Sequence, residues 1–244
     1  MSSLLVIRHG QASFGQDDYD VLSSLGRSQS RQLGTFLARR GVAIHAVYSG
    51  PAKRHQDTAA LMIEATRADG ATIPDAVIDA SFDEYPAFEV IAHYLPALID
   101  DGMIPAVLAE RYRQSALDPV THRQTFEAMF RVVLARWAEG SLVSPTASSI
   151  ETFAEFRERV RGGLTRLIEA HGRGATIAVV TSAGPCAASL TLAVSATPVE
   201  TIHQSLVVAN TAITELKYRD AQDITLYRFN SVPHLQSRAL VTHR

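Results

Sequence analysis

Arg8, His9 and Gly10 stand together directly after the apolar run Leu4-Leu5-Val6-Ile7. A neutral imidazole is a nucleophile, and an ordinary histidine pKa of about 6.5 leaves much of it neutral around pH 7. The adjacent arginine offers a forked cation that fits phosphate. Ser49 and Arg54 follow a second apolar stretch, and Thr181, Ser182 and Gly184 follow a third. If the three stretches are parallel strands, their carboxyl ends form one rim, where ligands of α/β sheets collect. Two arginines, a histidine, hydroxyls and helix N-termini then converge. Free N–H groups at helix starts suit an anion, so the chemistry indicated is binding and transfer of a phosphoryl group. Each residue taken singly also fits a structural role; the Arg8-His9-Gly10 turn is the least easily explained that way.

The elements that must position these residues follow from pattern. Leu4 to Ile7 predicts a short buried strand, and a polar stretch runs from Gln11 to Tyr19. A helix is predicted over about 24–40, with Leu25, Leu33, Phe36 and Leu37 at helical spacing and Gly41 as its stop. A second strand spans about 44–48, and Pro51 opens a helix over about 52–66. The region 85–149 lacks strand alternation, carries helical patterns such as Phe126, Met129, Phe130, Val133 and Trp137, and contains the breakers Pro86, Pro96, Pro105 and Pro119. It reads as a helical insertion. A long amphipathic helix at about 152–171 leads to a third buried strand, 176–180, and a small-residue helix from Gly184. Strands are then predicted at 206–208, 211–218 and 225–229. Alternating strands and helices argue for an α/β fold: a three-layer sandwich with a mostly parallel central sheet flanked by helices. The expectation is a single domain over 1–244 with a helical cap insertion at about 85–150.

Composition narrows the partners. The chain has 244 residues, 46% hydrophobic and 20% charged, with a net charge of −2. One core can be built at that length. No long basic run appears, which argues against a nucleic-acid partner. No segment reaches the roughly 20 apolar residues of a membrane helix, and the start of the chain does not read as a signal peptide. Cys186 is the single cysteine, in an apolar context that predicts a buried, inert thiol. The chain is expected in a reducing cytoplasm.

The segment Leu5-Val6-Ile7-Arg8-His9-Gly10 resembles the signature of the histidine phosphatase superfamily, also called the phosphoglycerate mutase-like family. The likeness continues through Leu22-Ser23-Ser24-Leu25-Gly26 with Gln29 and Leu33-Gly34, and through Tyr48-Ser49-Gly50-Pro51-Ala52-Lys53-Arg54. Asp57-Thr58-Ala59 stands where the family usually has Gln-Thr-Ala. Glu151 to Val160 resembles the helix before the third strand, and Asn210-Thr211-Ala212-Ile213-Thr214 the late strand. The resemblance covers about two thirds of the chain. It implies that His9 attacks phosphorus and becomes a phosphohistidine, and that Arg8 and Arg54 clamp the phosphoryl oxygens. Glu84 matches the proton donor, with Asp83 and Glu89 as alternatives because Tyr85-Pro86 replaces the usual glycine. Gln11 and Ser13, just after the motif, are further possible phosphate contacts. The implied partner is a small phosphorylated substrate, with no cofactor and no metal. The sequence leaves substrate identity and oligomeric state open.

One position departs from the pattern. The family places a second histidine after the third strand, and this chain reads Val179-Val180-Thr181-Ser182-Ala183-Gly184, with Ser182 there. Losing one preorganised donor costs about 10²- to 10³-fold in rate. Three readings follow. The enzyme works with Thr181, Ser182 and the next helix start as neutral phosphate donors. Another histidine substitutes, His55 or His203 being available, although His55 is expected on an exposed helix face. Or catalysis is lost and the protein binds phosphorylated ligands. A mutase that returns the phosphoryl group is the rival enzyme.

Overall fold

Leu4 and Ile7 have no solvent exposure because strand β1 (Ser2–Arg8) lies inside the sheet, paired along both edges. The computed structural model describes residues 2–13, 20–142 and 150–243. Residues 14–19 of the polar stretch and 143–149 of the predicted insertion lie outside the described residues.

Among the described residues the sheet has six strands in the order β3-β2-β4-β1-β5-β6. They are β1, β2 (Ala46–Ser49), β3 (Ala76–Ile78), β4 (Thr176–Thr181), β5 (Ile213–Tyr218) and β6 (Ile224–Ser231). The β1–β4, β2–β4 and β2–β3 pairs are parallel, whereas β1–β5 and β5–β6 are antiparallel. The mostly parallel sheet is therefore as the sequence predicts. Register decides the site. Arg8 lies opposite Thr181, and Ser49 opposite Val180. The three candidate segments thus leave the sheet at one level.

Strand side chains alternate between faces, and the two faces find different partners. Leu5, Ile7, Val47, Ala178 and Val180 form one core with Leu33, Leu37, Ala59, Met62 and Ile63. These come from α1 (Ser24–Arg39) and α2 (Lys53–Ala68). Ser23 starts α1 by accepting the Gly26 N–H on its hydroxyl at 3.0 Å. Tyr48, next to Val47, points to the other face, where its hydroxyl lies 3.0 Å from His171 Nε2 at the end of α6 (Phe153–His171). α7 (Ala183–Ser189) packs on β1. It contains Cys186, buried as expected, whose thiol pKa burial pushes up.

The chain forms two compact units. The first holds 1–84, 157–196 and 203–244. The second holds 85–156 with 197–202, and its helices are α3 (Ala87–Asp100), α4 (Ala106–Gln114) and α5 (Pro119–Glu139). Both α3 and α4 pack on α5. An aromatic cluster anchors this unit: Trp137 lies 5.2 Å from Tyr85 and 5.2 Å from Phe153, centroid to centroid. Helix α8 (Pro198–Ser205) follows later in the chain. No helix among the described residues is long and apolar enough to cross a membrane.

Two expectations differ from the structure. The predicted strand at 206–208 is absent: the chain turns after α8, and the Val208 carbonyl accepts from the Arg8 guanidinium instead of a strand. The edge strand β3 was not predicted, since it is three residues long with Val77 and Ile78 exposed.

The α1–α2 contact yields a stability prediction. A Cβ at Gly34 would meet the Met62 carbonyl oxygen at 2.2 Å and Ala65 Cβ at 2.9 Å. Gly34→Ala must therefore push the helices apart against a packed core. A loss of about 1–3 kcal/mol is expected, read as a lower urea midpoint at unchanged slope.

Candidate active site

His9 is held on every side of its backbone. Its N–H donates to the Thr181 carbonyl at 2.7 Å, while its own carbonyl accepts from Asn210 Nδ2 at 3.1 Å and the Thr211 amide at 3.2 Å. Gly10 N–H donates to Thr58 Oγ1 on α2 at 3.0 Å. The ring is only 4% exposed, and its Nδ1 lies 2.7 Å from the Gly10 carbonyl. A carbonyl only accepts, so Nδ1 carries the proton and Nε2 the lone pair. Burial first, then the Arg8 cation, the neighbouring His55 imidazole and the Arg54 cation, hold its pKa well below the ordinary histidine value. The imidazole is neutral at pH 7, as a nucleophile must be.

Arg8 is buried, and its Nη1 donates to the carbonyls of Val208 and His243. Arg54 leaves the first turn of α2, with Nη1 2.7 Å from Asp20 Oδ1 and Nη2 3.4 Å from Ser182 Oγ. Both guanidinium groups lie close enough to depress the His9 pKa. Ser182 is 1% exposed, and its Oγ lies 2.6 Å from His55 Nε2. His55 has no solvent exposure, and its ring centroid is 5.6 Å from that of His9. The expectation of an exposed His55 is therefore corrected: the first turn of α2 points it inward, toward the end of β4. His203 is exposed on α8.

The remaining candidates divide. Glu84 Oε2 accepts the Gly184 N–H at 3.1 Å, which places its carboxylate at the start of α7. Asp83 instead accepts the Glu84 N–H at 2.9 Å, and Glu89 is exposed in the first turn of α3. Thr181 donates its hydroxyl proton to the Phe82 carbonyl at 2.5 Å. That bond ties the 82–84 segment to the sheet. Gln11 Oε1 accepts from Ser23 Oγ at 2.8 Å, and its own N–H donates to Gln29. Ser13 bonds through its backbone to the Val21 carbonyl.

The sequence reading leaves helix N-termini free for an anion. The structure fills two of them with carboxylates: Glu84 takes the Gly184 N–H, and Asp20 takes the N–H groups of Lys53 and Arg54 at 2.7 and 3.3 Å. A carboxylate is favoured there by the unpaired N–H groups and the helix dipole. Asp20 and Asn210 are the site residues that sequence reasoning missed. Asp20 follows the polar stretch without a pattern of its own, and Asn210 acts by holding the His9 carbonyl. Among the described residues no cluster of His, Cys, Asp and Glu is placed to hold a metal ion.

Comparisons with known proteins agree with the fold. A phosphoserine phosphatase from Entamoeba histolytica, solved with phosphoserine, is similar in structure at a TM-score of 0.60 and 17% identity, covering 96% of this chain and 100% of that one. A phosphoglycerate mutase from Bacillus anthracis aligns at 0.62 and 17% identity, covering 96% and 94%. A mycobacterial glucosyl-3-phosphoglycerate phosphatase aligns at 0.58 and 19% identity, covering 94% and 98%. At such identities the likeness is one of fold. A search of curated protein sequences finds no match. The family model of the histidine phosphatase superfamily (branch 1), however, matches residues 4–88 and 104–231, most of the chain. With the signature at the end of β1, the conclusion is that the chain belongs to the histidine phosphatase superfamily, branch 1.

Proposed function

We propose that the protein hydrolyses phosphomonoesters through a phosphohistidine on His9. The observation that carries this reading is the His9 ring, neutral, fixed in one tautomer by Gly10 and flanked by Arg8 and Arg54. In the first step the Nε2 lone pair forms a bond to phosphorus while the bond to the leaving oxygen breaks. The transferring group carries charge on its oxygens through a loose transition state, so fixed cations and positioning do most of the work. Arg8 and Arg54 supply the cations, and Glu84 hands a proton to the leaving alkoxide. A carboxyl group beside an anionic phosphate keeps its proton more readily than one facing water. In the second step Glu84 takes a proton from water, whose oxygen attacks phosphorus as the P–N bond breaks and inorganic phosphate leaves.

The intermediate is directly testable. Rapid quenching after mixing with a ³²P-labelled monoester should give a protein label that is stable to alkali and labile to acid. Turnover without any such label would overturn the reading. The Entamoeba histolytica phosphatase was solved with phosphoserine and with 3-phosphoglyceric acid, so small phosphorylated acids are the first substrates to try. A mutase would instead release a bisphosphorylated intermediate during turnover, and a pure binding protein would be stabilised by ligand without hydrolysing it.

The role of Glu84 separates substrates by leaving group. Glu84→Gln should slow hydrolysis of alkyl phosphates by about 10²- to 10³-fold, because an alkoxide cannot depart without a proton. It should leave aryl phosphates with an acidic phenol nearly unaffected. Equal losses on both classes would assign Glu84 to holding α7 alone.

A further inference from the structure

The position where the family carries a second histidine holds Ser182, yet an imidazole is still in contact with it. His55 reaches it from α2, across 127 positions of sequence. Its Nε2 lies 2.6 Å from Ser182 Oγ, the distance of a strong hydrogen bond. Arg54 Nη2 lies 3.4 Å from the same oxygen. The imidazole fits because of Gly50: a Cβ there would lie 2.4 Å from His55 Nδ1 and 2.5 Å from the Phe82 carbonyl oxygen. The ring is wholly buried, so a place has been built for it.

The direction of the His55–Ser182 bond follows from the other ring nitrogen. Among the described residues, His55 Nδ1 is buried without a hydrogen-bond partner. Burial, and then the Arg54 cation, hold the His55 pKa well below the ordinary value, so the ring carries one proton at pH 7. With the proton on Nδ1, an N–H would be buried unpaired. With the proton on Nε2, only a lone pair is left bare and the N–H donates to Ser182 Oγ. Orphaned buried N–H groups are the rarer kind, so the second tautomer is favoured. Ser182 Oγ then accepts from His55, and its own hydroxyl proton is released to point elsewhere. The opposite arrangement, His55 as a base activating Ser182 as nucleophile, requires the disfavoured tautomer.

We propose that His55 and Ser182 together replace the missing histidine: His55 Nε2–H fixes the Ser182 oxygen so that the serine hydroxyl donates to an oxygen of the phosphoryl group on its way to His9. This deepens the hydrolase reading and rests on it. Ser182 touches the reacting group, and His55 is a positioning residue that acts through it. The serine donor is neutral, and its charge assistance comes from the Arg54 guanidinium beside it.

The test compares Ser182→Ala, His55→Gln, His55→Ala and the double variant His55→Ala/Ser182→Ala. The readouts are kcat and KM on a small phosphomonoester, the Kd of orthovanadate and of inorganic phosphate, and thermal unfolding. Orthovanadate mimics the five-coordinate transition state. Ser182→Ala and His55→Ala should each lower kcat by about 10²-fold, within the range for one preorganised donor, with KM changed much less. Vanadate should weaken more than phosphate. The double variant should be no slower than either single one, since residues that act as a unit are not additive. His55→Gln keeps an N–H donor near Nε2 and should restore most of the rate.

Multiplicative losses in the double variant would overturn the proposal, as would His55→Gln as slow as His55→Ala, or unchanged vanadate affinity. If His55→Ala fails to fold, His55→Leu, alone and in the Ser182→Ala background, decides: a loss that is repeated in the Ser182→Ala background overturns the pair, and a loss seen only with Ser182 present supports it. If the wild-type protein binds vanadate but hydrolyses nothing, the hydrolase reading fails, and the affinities alone test the His55–Ser182 donor. A wild-type protein that binds no vanadate overturns the donor as well.

Discussion

His9→Ala is expected to lower phosphomonoester hydrolysis by on the order of 10⁵-fold or more, the scale on which removing a covalent nucleophile acts. No other described side chain offers the same combination. The His9 ring is fixed by Gly10 and bears its lone pair on Nε2. His55, the nearest imidazole, is tied to Ser182. The alanine should fold, since the backbone bonds from residue 9 to Thr181, Asn210 and Thr211 do not involve the side chain. Circular dichroism checks that, and the labelled intermediate must vanish with the rate. The pH profile gives a second reading. Protonation of His9 removes the nucleophile, so activity falls as pH drops through its pKa. Burial and the neighbouring cations depress that pKa. Activity dependent on His9 should therefore persist below about pH 6.5, where a solvent-exposed histidine would already be protonated. Equal rates in wild type and His9→Ala would end the phosphohistidine reading.

Arg54→Ala is expected to cost about 10³-fold, the lower end of what an arginine stabilising a transferring phosphoryl group contributes. Two effects add. The guanidinium beside His9 and Ser182 is lost. Asp20, which now shares its charge with Arg54 Nη1 at 2.7 Å, loses that cation and becomes a repulsive neighbour for an incoming dianion. Arg54→Lys should recover part of the loss, because a point charge replaces a fork without matching its geometry. In Arg54→Ala, adding Asp20→Asn should restore part of the activity by removing the repulsion. Steady-state kinetics with phosphate as a competing ligand measure both effects. Loss of less than tenfold in Arg54→Ala would place this arginine outside the phosphate clamp.

How much of this was legible in the residues depends on the distance over which each feature is decided. The residues alone indicate the class of sheet, the buried β1 ending in Arg8-His9-Gly10, the helices over α1, α2 and α6, and the resemblance to the family. These are local: a run of apolar residues, a period of 3.6, a stop at glycine. The sequence did not determine which groups meet. The Thr181 hydroxyl bonds to the Phe82 carbonyl, a partner no local pattern points to. Two helix starts looked open until Asp20 and Glu84 were found on them. His55 looked exposed because the apolar pattern of α2 does not fix the facing of its first turn. Only the approach of β4, with Ser182 at its end and the cleared space at Gly50, makes that facing the inside. Burial and pairing between residues 127 and 99 positions apart are properties of the packed chain. A one-residue turn of a helix rotates a side chain by about 100°, so tertiary contact alone chose between a surface histidine and a buried one bonded to Ser182.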